Sequence, residues 1–253
     1  MVMSPPGLDI RRASLTFGAR PLFHDLAVEF DAGSWTCLLG RSGCGKSSLL
    51  RMIAGLALPD RHRIECTTSD GLPLQGRLAW MSQQDLLVPW LRVIGNVMLG
   101  TRWRGRWAGP TASEARERAL ALLSRVGLAD KADAWPAALS GGQRQRVALA
   151  RTLYEDAGVV LMDEPFSAVD AITRLELHDL ASELLASRTV IMVTHDPLEA
   201  LRLADHLLVL QGEPARAVPM AAPTGRRPRA LDDPQLLAHQ AELVALLREP
   251  AHV

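Results

Sequence analysis

Lysine is nearly absent from this sequence. Of 28 basic residues only two, Lys46 and Lys131, are lysines. A lysine kept in a chain that otherwise uses arginine points to a position where a compact ammonium is wanted. Cysteine is scarce too. Cys37, Cys44 and Cys66 make an odd number without metal-ligand spacing, which excludes a disulfide framework and fits a reducing compartment. Cys37 reads as filler of an apolar strand and Cys44 as a loop thiol open to reaction. Net charge is missing as well, because 28 acidic residues cancel the 28 basic ones, so no global field draws nucleic acid. No apolar run approaches the roughly 18 residues of a membrane span, and the opening "MVMSPPG" lacks the apolar core of a signal peptide. The expectation is a soluble protein that meets a membrane only through a partner.

What is present suffices for a substantial core: 253 residues, 48% of them hydrophobic, as in one large domain or a domain with an inserted subdomain. Short apolar runs recur: "WTCLL" (35–39), "LAWM" (78–81), "VVLM" (159–162), "TVIMV" (189–193) and "LLVL" (207–210). Helical patterns lie between several of them, which predicts an α/β fold around a parallel sheet covered on both faces. "ASLTF" and "LAVEF", separated by "GARP", read as antiparallel strands added to one edge. Residues 84–136 break the alternation. Within them "TASEARERALALLSRVGL" opens with a capping box at Thr111 and Glu114 and puts Ala115, Ala119, Leu122, Leu123 and Val126 on one face. The expected organisation is an α/β core over 1–83 and 137–212, a helical subdomain over 84–136, a Pro/Ala/Arg linker over 213–233 and a C-terminal helix over 234–253. Leu236, Leu237, Leu243, Val244 and Leu247 form that helix's apolar stripe.

The stretch "GRSGCGKS" fits the phosphate-loop pattern G-x-x-x-x-G-K-[ST] directly after a strand and before a helix. Gly40, Arg41, Ser42, Gly43, Cys44 and Gly45 would curl backbone N–H groups round a phosphate. Lys46 would reach the β- and γ-phosphates, and Ser47, followed by Ser48, would ligate Mg²⁺. "VVLMDEP" is an apolar strand ending in two carboxylates, where ligands of a parallel sheet collect. Behind a phosphate loop, Asp163 there suits the Mg²⁺ shell and Glu164 suits the polarisation of an attacking water. His195 follows the strand "TVIMVT", and Gln83 follows "LAWMS" within reach of a metal or water. Phe17 either stacks on a base or packs. "LSGGQRQR" has capping-box spacing from Ser140 to Gln143, so a second helix N-terminus, a ready anion site, begins there.

Taken together, "GRSGCGKSS", "LSGGQRQRVALAR", "LMDEP", "SAVD" (167–170) and the histidine of "VTHD" resemble, in order, the phosphate loop, signature, acidic strand, D-loop and switch histidine of the ATP-binding cassette ATPases. The resemblance spans about residues 8–212. It implies a P-loop NTPase core, ATP and Mg²⁺ as cofactors, and catalytic roles for Glu164, His195 and Gln83. It also implies a head-to-tail dimer in which Ser140, Gly141, Gly142 and Gln143 serve the nucleotide held by the second copy. "QQDLLVPW", "DEPFSAVDAITR" and "RRPRALDDPQLLAHQAELVALL" are similar to cassettes of nitrate, sulfonate, taurine and pyrimidine-precursor importers. That likeness implies a permease partner met near Gln83, indirectly a solute-binding protein, and a place on the cytoplasmic face of the inner membrane. One departure stands out: "LPDRHRIECTTSDG" lacks the family's usual proline-threonine-glycine turn. The alternative is a soluble cassette ATPase in a non-transport process. A small-molecule kinase would leave "LSGGQ" and "SAVD" unexplained.

Overall fold

The computed structural model describes residues 4–56, 58, 61–100 and 111–248. Strands β1 (Leu8–Phe17) and β2 (Arg20–Phe30) form a hairpin, and β3 (Trp35–Gly40) runs through a short loop into helix α1 (Lys46–Ile53). Strands β4 (Arg61–Thr68) and β5 (Leu78–Met81) follow, then helices α2 (Val93–Val97), α3 (Ala112–Arg125) and α4 (Gly141–Tyr154). The rest alternates: β6 (Val159–Asp163), α5 (Ala171–Leu184), β7 (Thr189–Val193), α6 (Pro197–Leu203), β8 (His206–Gln211), β9 (Arg216–Met220) and α7 (Pro234–Arg248).

The main sheet has the order β5-β6-β7-β3-β8-β9, parallel throughout except for the antiparallel β8–β9 pair. Every residue of β6 and β7 is buried, as the continuous apolar runs require of strands covered on both faces. The pleat divides them strictly. Cys37, Leu39, Val160, Met162, Val190 and Met192 face a helical layer that includes α4 and α5. Leu38, Val159, Leu161, Ile191 and Val193 face α1 and the N-terminal sheet.

The N-terminal strands do pair antiparallel, but they do not extend an edge of the parallel sheet. They make a separate three-stranded sheet, β2-β1-β4, because β4 takes the open side of β1 from Thr16↔Arg61 to Leu8↔Thr68. That pairing resolves the local question raised by the missing glycine turn, although Pro59 and Asp60 lie outside the described residues. The capping box of α3 is present, with Thr111 Oγ1 accepting from Glu114 N and Glu114 accepting from Thr111 N. Ala115, Ala119, Leu123 and Val126 are buried as expected. Val93, Ile94, Val97, Ala119 and Leu123 share one core with Met81 and Val160 of the sheet, so the helical stretch is packed onto the α/β layer. Residues 101–110 of that stretch, like 249–253 of the expected C-terminal helix, lie outside the described residues.

The expected 213–233 linker is corrected. Residues 216–220 form the edge strand β9 on β8, and the segment after it is tied down by arginine. Arg229 is only 4% exposed. Its Nη1 donates to the carbonyls of Leu201 and Ala204, both at 2.8 Å, closing the C-terminus of α6. Arg202 Nε returns a bond to Arg229 O at 2.9 Å. Arg229→Ala would leave those carbonyls buried without a donor, so we expect a loss of about 1.5–3 kcal/mol in urea unfolding. A stability equal to the parent's would show the segment to be a free tether after all. In α7, Leu236 and Leu243 are fully buried, whereas Leu237, expected in the apolar stripe, is 54% exposed. The helix presents a narrower face than five apolar positions suggested.

Candidate functional site

The loop between β3 and α1 is built for close backbone approach. Gly43 has φ +82° with nothing within 4 Å of a hypothetical Cβ, and Gly45 has φ +97° with the Phe23 ring 2.4 Å from where a Cβ would sit. A side chain at Gly45 would therefore clash as well as strain the backbone. Gly45 is the N-cap of α1 and makes no side-chain cap bond, and the first turn carries no acid. The amides of that turn are thus left for an anion. Lys46 is buried, its Nζ donating to the carbonyls of Gly40 at 2.8 Å and Arg41 at 3.1 Å. An ammonium folded onto its own loop in this way is held at the loop's centre. Burial pushes the pKa of the Cys44 thiol up against the opposing pull of Lys46, so it stays protonated near neutral pH.

Four adjacent strands then bring distant residues together at their carboxyl ends. Ser47 Oγ donates to Asp163 Oδ1 at 2.7 Å, joining α1 to the end of β6. Glu164 follows Asp163 with φ +46°, a left-handed conformation that is costly for a non-glycine residue. Its amide donates to Val193 O at 2.9 Å, which pins the bend against β7. Two side chains from other loops converge on its carboxylate. Gln83 Nε2 lies 3.2 Å from Glu164 Oε2, and His195 Nδ1 lies 3.1 Å from the same oxygen. Asp163, Glu164, Gln83, His195 and the phosphate loop thus occupy one continuous rim across β5, β6, β7 and β3. Phe17, the last residue of β1, is 63% exposed. Packing in the core is therefore excluded for it, and it is free to meet a ligand.

The second anion candidate is also formed. Ser140 caps α4 by accepting from Gln143 N at 3.2 Å, while Gln143 Oε1 accepts from Ser140 N at 2.9 Å. This leaves the amides of Gly141 and Gly142 at the helix start. Ser140, Gly142, Gln143, Arg146, Thr173 and Glu176 line a cavity of about 250 Å³ that no phosphate-loop residue borders. Within one chain, the two candidate anion sites do not share this cavity.

Residue-type reasoning missed the arginines that tie these parts together. Arg144 pairs with Asp85 at 3.0 Å, and Arg151 donates to the carbonyls of Asp85 and Leu86 at 2.6 and 2.9 Å. Helix α4 therefore grips the loop that carries Gln83. Arg174 bonds the carbonyls of Phe166 and Val169 at 3.2 and 3.1 Å and reaches Asp196 at 3.4 Å, linking the "SAVD" turn to the His195 loop. Ser167, in that same turn, is 3.3 Å from Gln83 Nε2. In a chain this rich in arginine, nothing local marks these three out.

The family model described as ABC transporter matches residues 23–167. The chain is 43% identical over 243 residues to the aliphatic sulfonates import ATP-binding protein SsuB 1 of Rhodococcus jostii, covering 94% of this chain and 92% of that protein. It is 40% identical over 238 residues to an uncharacterized ABC transporter ATP-binding protein of Haemophilus influenzae, covering 93% and 96% of the two. Among solved structures it resembles the ATP-binding cassette MJ0796 in a dimeric post-hydrolysis state bound to ADP and Pi. There the TM-score is 0.71 and the identity 26%, over 86% of this chain and all of that one.

Proposed function

The chain belongs to the ABC transporter family, and we propose that it is the ATP-hydrolysing subunit of an importer for a small polar or anionic solute of the sulfonate, nitrate or pyrimidine-precursor type. The observation that carries the catalytic part is the convergence of Gln83 and His195 on the Glu164 carboxylate, beside the Ser47–Asp163 contact. In this reading Lys46 and the amides of residues 42–48 hold the β- and γ-phosphates and stabilise the charge that develops on them. Glu164 accepts a proton from the attacking water. His195 and Gln83 orient that carboxylate and register whether a γ-phosphate is present. The Ser47 hydroxyl, the Asp163 carboxylate and the Gln83 amide oxygen are hard donors of the kind Mg²⁺ prefers. Among the described residues no cluster of three His, Cys, Asp or Glu forms a metal cage. Held by Ser47, Asp163 and Gln83, such an ion would supply positive charge that offsets the charge of the phosphates.

We further assign 1–83 with 137–212 as the nucleotide-binding core and 84–136 as a helical subdomain. Ser140, Gly141, Gly142 and Gln143 then serve a second copy's nucleotide in a head-to-tail dimer. That the cavity at the start of α4 is bordered by no phosphate-loop residue of its own chain supports this, and the related MJ0796 cassette is dimeric with ADP and Pi bound. No helix among the described residues is long and apolar enough to cross a membrane. In the proposed system a permease does so, delivering solute from a binding protein, while this subunit sits peripherally on the cytoplasmic face.

The permease surface we favour is the entry to the helical stretch. Leu86 and Trp90 are 58% and 76% exposed there, on the loop that Arg151 and Arg144 tie to α4. Trp90 is of the residue type enriched at interface centres, and Leu86 adds exposed apolar surface on the same loop. Leu87, their neighbour, packs against the core instead. With the three native cysteines replaced, a cysteine at Trp90 should crosslink to a co-expressed permease. One at Leu72, 48% exposed beyond the N-terminal sheet, should not. Equal capture from both positions would remove this surface from the proposal, and capture from neither would favour a non-transport ATPase.

A further inference from the structure

We infer that His178 is a positioning residue for hydrolysis: it ties the Glu164 turn and the helix after His195 to each other and to the arginines of the C-terminal segment. This rests on the assignment of Glu164 and His195 to the catalytic rim. His178 lies in the middle of α5 and is only 2% exposed, and the proposed hydrolysis does not use it. A buried imidazole needs partners for both nitrogens, and this one has them. Nε2 lies 2.9 Å from Glu199 Oε1, and Nδ1 lies 3.3 Å from Arg202 Nη1.

Those partners decide the form of the ring. A guanidinium has only donors, so Nδ1, facing Arg202, must be the bare, accepting nitrogen. Nε2 then carries the proton and donates to the Glu199 carboxylate. His178 is therefore a neutral bridge between a buried anion and a buried cation, Glu199 being 4% and Arg202 7% exposed. An ion left unpaired at that depth is costly, so the bridge fixes where both side chains point.

Both flanks of the bridge lead to the site. Glu199 stands in the first turn of α6, whose N-cap, Asp196, is the neighbour of His195. It lines a cavity of about 10 Å³ together with Glu164, His195 and Arg174. That space holds a single water at most, so little separates the Glu199 carboxylate from the catalytic pair. On the other flank the His178 ring meets Phe166 edge to face, with centroids 5.2 Å apart and planes at 62°. Phe166 is fully buried and follows Glu164 in the same turn. One side chain thus touches both the turn that carries the base and the helix that follows the switch histidine. Arg202 continues the chain outward, its Nε donating to Arg229 O and its Nη2 to Asp179 Oδ1, both at 2.9 Å.

Substitutions at His178 separate positioning from mere support of the fold. His178→Phe keeps a ring against Phe166 and removes both nitrogens. It should slow single-turnover hydrolysis about tenfold or more while ATP affinity stays within about twofold of the parent's, since a small misplacement of reacting groups is costly to rate. His178→Gln offers an amide N–H to Glu199 and an amide oxygen to Arg202, and should return the rate to within about threefold of the parent's. His178→Asn, too short to reach Glu199, should be as slow as His178→Phe and serves if that variant does not fold. Arg229→Ala, assayed below its unfolding transition, should slow hydrolysis by a smaller factor. In a His195→Ala background, His178→Phe should add less than about twofold, because residues acting through one another are not additive. Parental hydrolysis in the folded His178 variants would overturn the inference. So would a loss of ATP affinity in parallel with rate, or a full further loss of rate in the His195→Ala background. A parental rate in Arg229→Ala would overturn the link to the C-terminal segment. Parental turnover in His195→Ala itself would instead overturn the assignment of the catalytic rim.

Discussion

Glu164→Gln should reduce ATP turnover by roughly 10²–10⁴ while leaving ATP bound, the range expected when a positioned general base is removed. The substitution is nearly isosteric. A glutamine can still contact Gln83, 3.2 Å away, and His195, 3.1 Å away, so the local packing is conserved and only the capacity to take a proton is lost. The backbone argues for a specific need at this position. Glu164 holds φ +46°, a conformation that costs a non-glycine residue of order 1–3 kcal/mol and that concentrates at active sites. The same conformation aims the carboxylate past the end of β6, beside Asp163 but off the Ser47–Asp163 contact. In the proposed reading, metal binding would fall to Asp163 and water activation to Glu164, its neighbour in sequence. Single-turnover hydrolysis with pre-bound ATP is the measurement. Near-parental turnover with ATP demonstrably bound would eliminate Glu164 as the base.

The parts of the molecule that could be read from residues alone are those whose physics is local. Strands β3, β6 and β7 are buried on both faces, so apolar content over five or six residues was sufficient evidence for them. Both capping boxes are signals confined to four consecutive residues and both are present. The N-terminal sheet was misplaced because its third strand, "RHRIECTT", is polar and distant in sequence. What closes the sheet is a pairing between positions some fifty residues apart, which no local pattern reports. Strand β9 lies in the stretch whose Pro/Ala/Arg composition reads as linker, yet it is the last strand of the sheet, where its Pro219 is tolerated. The site divides in the same way. The phosphate loop and the Asp163–Glu164 pair are contiguous motifs. The meeting of Gln83, Glu164 and His195 is a consequence of strand order, since β5, β6 and β7 lie side by side. The clamps made by Arg144, Arg151 and Arg174 depend on side-chain reach between segments that meet only in the folded chain, where arginine is common.

The largest expected effect concerns the two candidate anion sites. If "LSGGQ" acts on the partner's nucleotide, two individually dead proteins should restore one working site when mixed. Lys46→Ala removes the buried ammonium at the loop's centre and should abolish nucleotide retention. Ser140→Arg fills the 250 Å³ cavity at the start of α4 with a long side chain and removes the hydroxyl that caps the helix. The lost cap alone costs about 1 kcal/mol, so folding of this variant is checked by its thermal transition. Each homodimer then has two broken sites. In a head-to-tail heterodimer the damaged loop faces the damaged signature, and the intact loop faces the intact signature. With Glu164→Gln added to both chains to slow hydrolysis, the mixture should retain one ATP per heterodimer, against background for either variant alone. If loop and signature worked within a single chain, every site in the mixture would stay broken and no ATP would be held. Two distinguishable affinity tags would establish that heterodimers have formed. ATP at background in those confirmed heterodimers would refute the trans arrangement, and with it the reason for a second anion site in this chain.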